Sequence, residues 1–189
     1  MQTLKALATL CDTTLTRGDS DTPISGITLT SSKVEPGDMF AALPGLHVHG
    51  ARFAADAADR GAHAILTDPE GADIIAAAGN DTPALLVVDD VRAVLGTVSA
   101  AIYDHPSDAV PVIGITGTSG KTTTAYLIES AFRTAGHSVG MIGTTGSRIN
   151  GTRVPSSLTT PEAPDLQRLF ATMRDAVSYT HLTLPTTPY

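Results

Sequence analysis

Residues 110–134 carry the pattern that most restricts what this chain can fold into. An apolar run, 110–115, leads into Thr116-Gly117-Thr118-Ser119-Gly120-Lys121-Thr122-Thr123-Thr124. An amphipathic stretch follows, with Leu127, Ile128, Ala131 and Phe132 placed on one helical face and Gly136 ending it. Strand, glycine-bearing turn, Gly-Lys-Thr and helix together wrap backbone N–H groups around a phosphate chain, and the helix N-terminus favours its negative charge. Lys121 is suited to reach the β- and γ-phosphates as a point charge, and the Thr122 hydroxyl to ligate Mg²⁺. Strict G-x-x-x-x-G-K-[ST] spacing needs glycine at 115, where Ile115 stands, so the loop is the shorter G-x-x-G-K-T-T form that begins at Gly117. A glycine-rich turn with a chance lysine would not explain the strand before it, the helix after it and the threonine triplet. ATP is the expected ligand.

The rest of the chain repeats the strand-then-helix order. A helix is expected over 4–10, strands over 24–29, 39–43, 64–66 and 85–88, and helices over 52–60, 73–78 and 91–103. Gly61 stands where a helix C-terminus wants glycine, and Glu35-Pro36-Gly37-Asp38 reads as a turn. With no Trp and 4% aromatic residues, the core must come from Ala, Val, Ile and Leu, which suits helices layered on a sheet. His105-Pro106-Ser107-Asp108 reads as a linker, dividing the chain into 1–108 and 109–176. In the second part a strand is expected over 139–142, and a helix capped by Thr160 with Pro161 at its first position runs to about Asp175.

Composition narrows the function classes. With 189 residues, 42% apolar and 16% charged, the chain can bury a core. Its net charge of −7 argues against a surface that coats nucleic acid, though a local phosphate site stays compatible. A single cysteine, Cys11, forms no internal disulfide, and neither a signal peptide nor an apolar run near 20 residues is present, so a reducing cytoplasm is the expected compartment.

The loop 114–124 is similar to the ATP loop of the Mur ligases, the amide-forming ligases of peptidoglycan synthesis. Folylpolyglutamate synthases and cyanophycin synthetases carry comparable loops, and two further segments separate them. Ser157-Leu158-Thr159-Thr160-Pro161-Glu162, after Ile142-Gly143-Thr144-Thr145-Gly146, resembles the segment with which the MurE branch holds its nucleotide-sugar peptide. Residues 29–45 resemble the uridine-binding N-terminal domain of the MurE and MurF branches, and His49-Gly50-Ala51 gives that domain an actinobacterial flavour. The resemblance implies an α/β fold, with a Rossmann-like N-terminal uridine-nucleotide domain followed by the truncated start of a P-loop ATPase domain. It also implies an ATP- and Mg²⁺-dependent ligase whose substrates are a UDP-N-acetylmuramoyl dipeptide and an amino acid, meso-diaminopimelate. Carried over by position, Gly117, Thr118, Ser119, Gly120, Lys121, Thr122 and Thr123 bind ATP, Lys121 acts in catalysis and Thr122 holds the metal. Leu29, Ser31, Leu46, His47 and Val48 line the uridine site, and Thr159 and Thr160 hold the muramoyl-peptide end.

The chain departs from the family pattern at Thr30-Ser31-Ser32, where many members read Asp-Ser-Arg, and at Leu158, where an asparagine is common. His47 and His49 have H-x-H spacing but no third ligand, so they read as solvated loop histidines, while Asp56, Asp59, Asp68 and Asp73 read as a solvated face. Residues 177–189 break the helical pattern, fit no family segment and resemble a translated library adapter. The expectation is therefore a non-native tail on a fragment that does not ligate alone. Other readings are a MurF-type ligase, a GTPase-like switch and a non-catalytic uridine-nucleotide module.

Overall fold

The computed structural model describes residues 1–79, 83–154 and 161–176, and the backbone of 180–186. It divides into two compact units, Met1–Asp104 and His105–Tyr189.

The first unit opens with β1 (Gln2–Thr3), α1 (Leu4–Leu10), β2 (Leu15–Arg17), β3 (Pro23–Ile24) and β4 (Gly26–Thr28). It continues through β5 (Asp38–Ala42), α2 (Ala54–Asp59), β6 (Ala64–Thr67), α3 (Pro69–Ala77), β7 (Ala84–Val87) and α4 (Val91–Ile102). Strands β4, β5, β6 and β7 are parallel neighbours, with β2 added antiparallel on β7. Each side-chain row of the sheet serves one layer. Phe40, Ala42, Ile65 and Leu85 pack with Ala54, Ala57 and Ile75 of α2 and α3. The alternate residues Met39, Ala41, Leu66 and Leu86 are equally buried and point to the other face, where α4 packs against β4 and β5. Both faces being covered explains why these strands read as short, fully apolar runs.

The expected elements of this unit are found with small shifts. The strand expected over 24–29 is two strands, β3 and β4, broken at Ser25, whose N–H goes to the Gly37 carbonyl. Asp68 and Asp90 cap α3 and α4 with their carboxylates, so α3 starts earlier than the apolar pattern suggests.

The second unit contains β8 (Val112–Thr116), α5 (Lys121–Thr134), β9 (Ser138–Gly143), β10 (Gly146–Ile149), β11 (Thr152–Val154), α6 (Ala163–Ala176) and β12 (Thr180–Thr186). Its strand order is β11-β10-β9-β12-β8. Val110, Ile142, Phe170 and Met173 form its buried cluster under α6. The hairpin β10–β11 turns on Asn150 and Gly151, with φ of 50° and 82°, the left-handed pair that a two-residue turn between twisted strands requires.

Two expectations change here, and a strand forms where none was expected. Residues 180–186 run parallel between β8 and β9; Pro185, which has no N–H to donate, registers with Ile115 beyond the last β9 pair. Helix α6 begins at Ala163 with Pro164 in its first turn, rather than at Pro161. The buried face of α5 is Ala125 and Glu129, while Leu127 is 66% exposed. At 100° per residue Leu127 lies across the helix from both of those positions, and α5 packs against β9.

Candidate nucleotide sites

In the second unit, β8 delivers the phosphate-loop residues at its C-terminal end and α5 carries them away. Gly117 and Gly120 have φ of 146° and 79°, values that L side chains rarely adopt, which is why glycine stands at both. Gly120 is also the N-cap of α5 and brings no side chain to cap it. The first-turn N–H groups are thus left without a side-chain cap at the positive end of the helix dipole. Gly117, Thr118, Ser119, Gly120 and Thr123 are exposed, and Lys121 and Thr122 are half-buried. The Lys121 ammonium donates to the Gly117 carbonyl, spanning the loop from its last residue to its first.

The turn after β9 meets this helix. Thr122 Oγ1 lies 3.3 Å from Thr144 Oγ1, and the Tyr126 hydroxyl donates to Thr145 Oγ1 at 3.0 Å. The Thr145 hydroxyl and the Arg148 guanidinium beside it can both donate to the phenolate, which holds the Tyr126 phenol below its usual pKa. One hydrogen bond leaves Thr122 Oγ1 with acceptor capacity for a hard cation, so the donor fits Mg²⁺. Farther along the same face, Glu129 is buried at 4% exposure, with Arg148 Nε 3.8 Å from its Oε1. Arg148 also sits over the Tyr126 ring at 5.4 Å and donates to the Gly151 carbonyl at 2.7 Å, tying the hairpin to α5.

In the first unit, the expected uridine-site residues follow two adjacent parallel strands. Leu29 and Ser31 come directly after β4, and Leu46, His47 and Val48 after β5, so both groups emerge at the carboxyl edge of the sheet. Open α/β sheets bind ligands at that edge. Leu29 and Ser31 are half-buried, and residues 44–48 are all exposed, with Leu46 at 99%. Ser31 opens a 3-10 turn, and its hydroxyl bonds the Asp56 carboxylate, which with Arg60 holds that carboxyl below its usual range. Thr159 and Thr160 lie outside the described residues, as do Ser157 and Leu158.

Two expectations are corrected. His49 is not solvated: it is 8% exposed, with both ring nitrogens engaged, one by the Ala51 N–H at 3.0 Å and the other by Asp68 Oδ1 at 3.0 Å. Asp68 does not belong to a solvated face, because it caps α3 and holds His49, whereas Asp56, Asp59 and Asp73 are exposed as expected. Proline at 69 after an aspartate marks the cap in the sequence; nothing local marks the histidine as buried.

The comparisons with known proteins bear on both units. The Mur ligase family catalytic-domain model matches residues 23–103, and the Mur ligase middle-domain model matches residues 115–182. The chain belongs to the Mur ligase family. Within that family, it is 57% identical over 157 residues to the UDP-N-acetylmuramoyl-L-alanyl-D-glutamate–2,6-diaminopimelate ligase of Streptomyces coelicolor, covering 83% of this chain and 30% of that protein. To the Corynebacterium glutamicum ligase of the same name it is 56% identical over 153 residues, 80% of this chain and 29% of that one. This Mur ligase chain thus spans less than a third of the length of these curated relatives.

Among solved structures, a ligase of that name superposes with a TM-score of 0.71 at 25% identity, covering 94% of this chain and 35% of that one. Acinetobacter baumannii MurF, at 22% identity and a TM-score of 0.65 over 97% of this chain and 36% of its own, shares the fold. In this Mur ligase chain the contacts of Thr144 with Thr122 and of His49 with Asp68 carry no local sequence signal. Among the described residues, no helix is long and apolar enough to cross a membrane.

Proposed function

We propose that this chain supplies the ATP loop and the uridine-nucleotide domain of a cytoplasmic ligase that joins meso-diaminopimelate to UDP-N-acetylmuramoyl-L-alanyl-D-glutamate. Residues 1–108 hold the nucleotide sugar and residues 109–176 begin the ATP-binding domain. The observation that carries the reading is the loop geometry, Gly117 and Gly120 at left-handed φ leading into Lys121 and Thr122 on an uncapped helix, in a chain 57% identical to a ligase of that name.

A carboxylate is a poor electrophile, so amide formation needs a leaving group. Transfer of the ATP γ-phosphoryl group to the terminal carboxylate of the dipeptide gives an acyl phosphate and ADP. The amine of the incoming amino acid then attacks the acyl carbon, and inorganic phosphate departs as the C–N bond forms. Loop N–H groups orient the phosphate chain, and Lys121 offsets the charge that spreads over the transferred oxygens. Thr122 would hold Mg²⁺, which when bound neutralises charge on the β- and γ-phosphates. Leu29, Ser31 and residues 46–48 contact the uridine nucleotide, and Thr159 and Thr160 the peptide end. The likeness to ligases named for diaminopimelate favours that amino acid over the MurF-type reaction.

Calorimetric titration of the chain with ATP, GTP and UDP-N-acetylmuramoyl-L-alanyl-D-glutamate, each with Mg²⁺, tests this reading. ATP and the nucleotide dipeptide should each bind, with Lys121→Ala weakening only the first, by about 10- to 100-fold. The reading is overturned if GTP displaces ATP on equal terms and the uridine nucleotide produces neither heat nor a shift in thermal stability.

A further inference from the structure

Residues 44–48 form an exposed tip on an immobilised base. Leu46 is 99% and Val48 44% exposed, yet the residues on either side are tied down. The Gly50 N–H donates to the Leu43 carbonyl at 2.8 Å, closing the loop on itself, and the buried Thr67 hydroxyl donates to the Ala42 carbonyl at 3.1 Å. A side chain on Gly50 would come within 3.0 Å of Leu43 backbone atoms, so the closure has no room to spare.

His49 completes that base. Its Nδ1 accepts the Ala51 N–H at 3.0 Å and therefore carries no proton. The proton must then be on Nε2, which donates to Asp68 Oδ1 at 3.0 Å. The same oxygen accepts the Gly71 N–H at 2.8 Å as the N-cap of α3. One neutral imidazole in one tautomer thus joins the loop after β5 to the helix after β6. The pocket around it is filled: a Cβ on Gly71 would lie 1.9 Å from Thr67 Oγ1 and 2.6 Å from His49 Cε1. A loop with five exposed residues gains little order from its own packing, so its conformation depends on these anchors.

We propose that His49, held by Asp68, is a positioning residue for the uridine-nucleotide site: it fixes residues 44–48 in the conformation that meets the nucleotide without touching the ligand itself. The proposal rests on the reading that Leu46, His47 and Val48 contact that nucleotide, and adds the pair that sets their geometry.

The test has a ligand-free arm and a binding arm, both on the whole chain. Amide ¹⁵N relaxation without ligand should show residues 45–48 ordered in the parent, and imidazole ¹⁵N shifts should report the Nε2–H tautomer. In His49→Ala and Asp68→Ala, order should fall at residues 45–48 while β5 and β6 keep theirs. Asp68→Asn, which retains Oδ1 as an acceptor, should restore it. In the binding arm, affinity for UDP-N-acetylmuramoyl-L-alanyl-D-glutamate should drop about tenfold in the alanine variants and recover in Asp68→Asn, the size expected from losing one hydrogen bond's worth of positioning. Unchanged loop order in His49→Ala, or the other tautomer, overturns the clamp whatever the ligand does. A loosened loop with undiminished affinity overturns the link to binding. A parent chain that fails to bind the nucleotide, with the loop loosening as described, removes the uridine-site reading and leaves the clamp as a property of the fold.

Discussion

Thr122 and Thr144 face each other with their hydroxyl oxygens 3.3 Å apart, so the first turn of α5 and the turn leaving β9 are joined beside the phosphate loop. The residue expected to hold the metal is therefore held sideways by a partner 22 positions along the chain. Thr144→Val keeps the shape and deletes the bond. It should weaken ATP binding in the presence of Mg²⁺ by about 2- to 10-fold, in line with one hydrogen bond of about 0.5–1.5 kcal/mol, and leave binding in EDTA unchanged. Paired titrations with and without the metal read the difference.

Lys121 is half-buried and bonds the Gly117 carbonyl, an interaction within a mostly exposed loop. Lys121→Ala should change unfolding free energy by no more than about 0.5 kcal/mol, because surface substitutions away from the core seldom do more. ATP affinity should fall about 10- to 100-fold, the worth of a charge-assisted bond to phosphate. Urea unfolding and calorimetry on the same sample separate the two effects.

The Glu129 carboxylate is nearly inaccessible and Arg148 is the cation beside it. Arg148→Met should destabilise the second unit by about 2 kcal/mol; removing one partner of a fully buried pair costs about 3–5, and the arginine here keeps 30% exposure. The double variant Glu129→Leu with Arg148→Met should be more stable than Arg148→Met alone, since it leaves no buried charge behind. Denaturant midpoints of the three proteins decide the order.

Gly71→Ala places a methyl group where Thr67 and His49 already stand. It should cost about 1–3 kcal/mol as an overpacked core change, and the loss should be centred on the first unit. Hydrogen exchange resolved by residue would show β6 and α3 opening sooner, with α5 and α6 unaffected.

Asp56 owes its lowered pKa first to the Ser31 hydroxyl and then to Arg60. Because its folded pKa lies below the unfolded one, its contribution to stability is full above the ordinary carboxylate range and disappears as pH falls through the lowered folded value. Ser31→Ala should raise the Asp56 carboxyl toward its usual range and flatten that part of the acid limb. Side-chain ¹³C titration of Asp56 in both proteins measures it.

Much of this architecture is legible from local pattern. Helix α1 is found at Leu4–Leu10 as expected, and the apolar runs around Met39, Ile65 and Leu85 become β5, β6 and β7. Gly61, at φ 92°, ends α2 as a helix C-terminus asks of glycine. The hairpin at Asn150-Gly151 is legible too, since that dipeptide is the strongest short-range hairpin signal, and it lies between the segments 142–146 and 157–162 that carry the family likeness. Strand β2 was not: three residues with no apolar alternation are held by pairing with β7, a partner about 70 positions away.

The strand–loop–helix around Lys121, the alternation that builds the first sheet and the likeness to the Mur ligases are written in local sequence, because each depends on residues that are neighbours in the chain. The burial of His49 against Asp68, 19 residues away, the inward turn of Glu129 rather than Leu127 and the meeting of Thr144 with Thr122 come from long-range packing alone. Hydrophobic periodicity says that a helix has an inner face, but which polar groups accompany it inside depends on what the neighbouring elements bring to meet them.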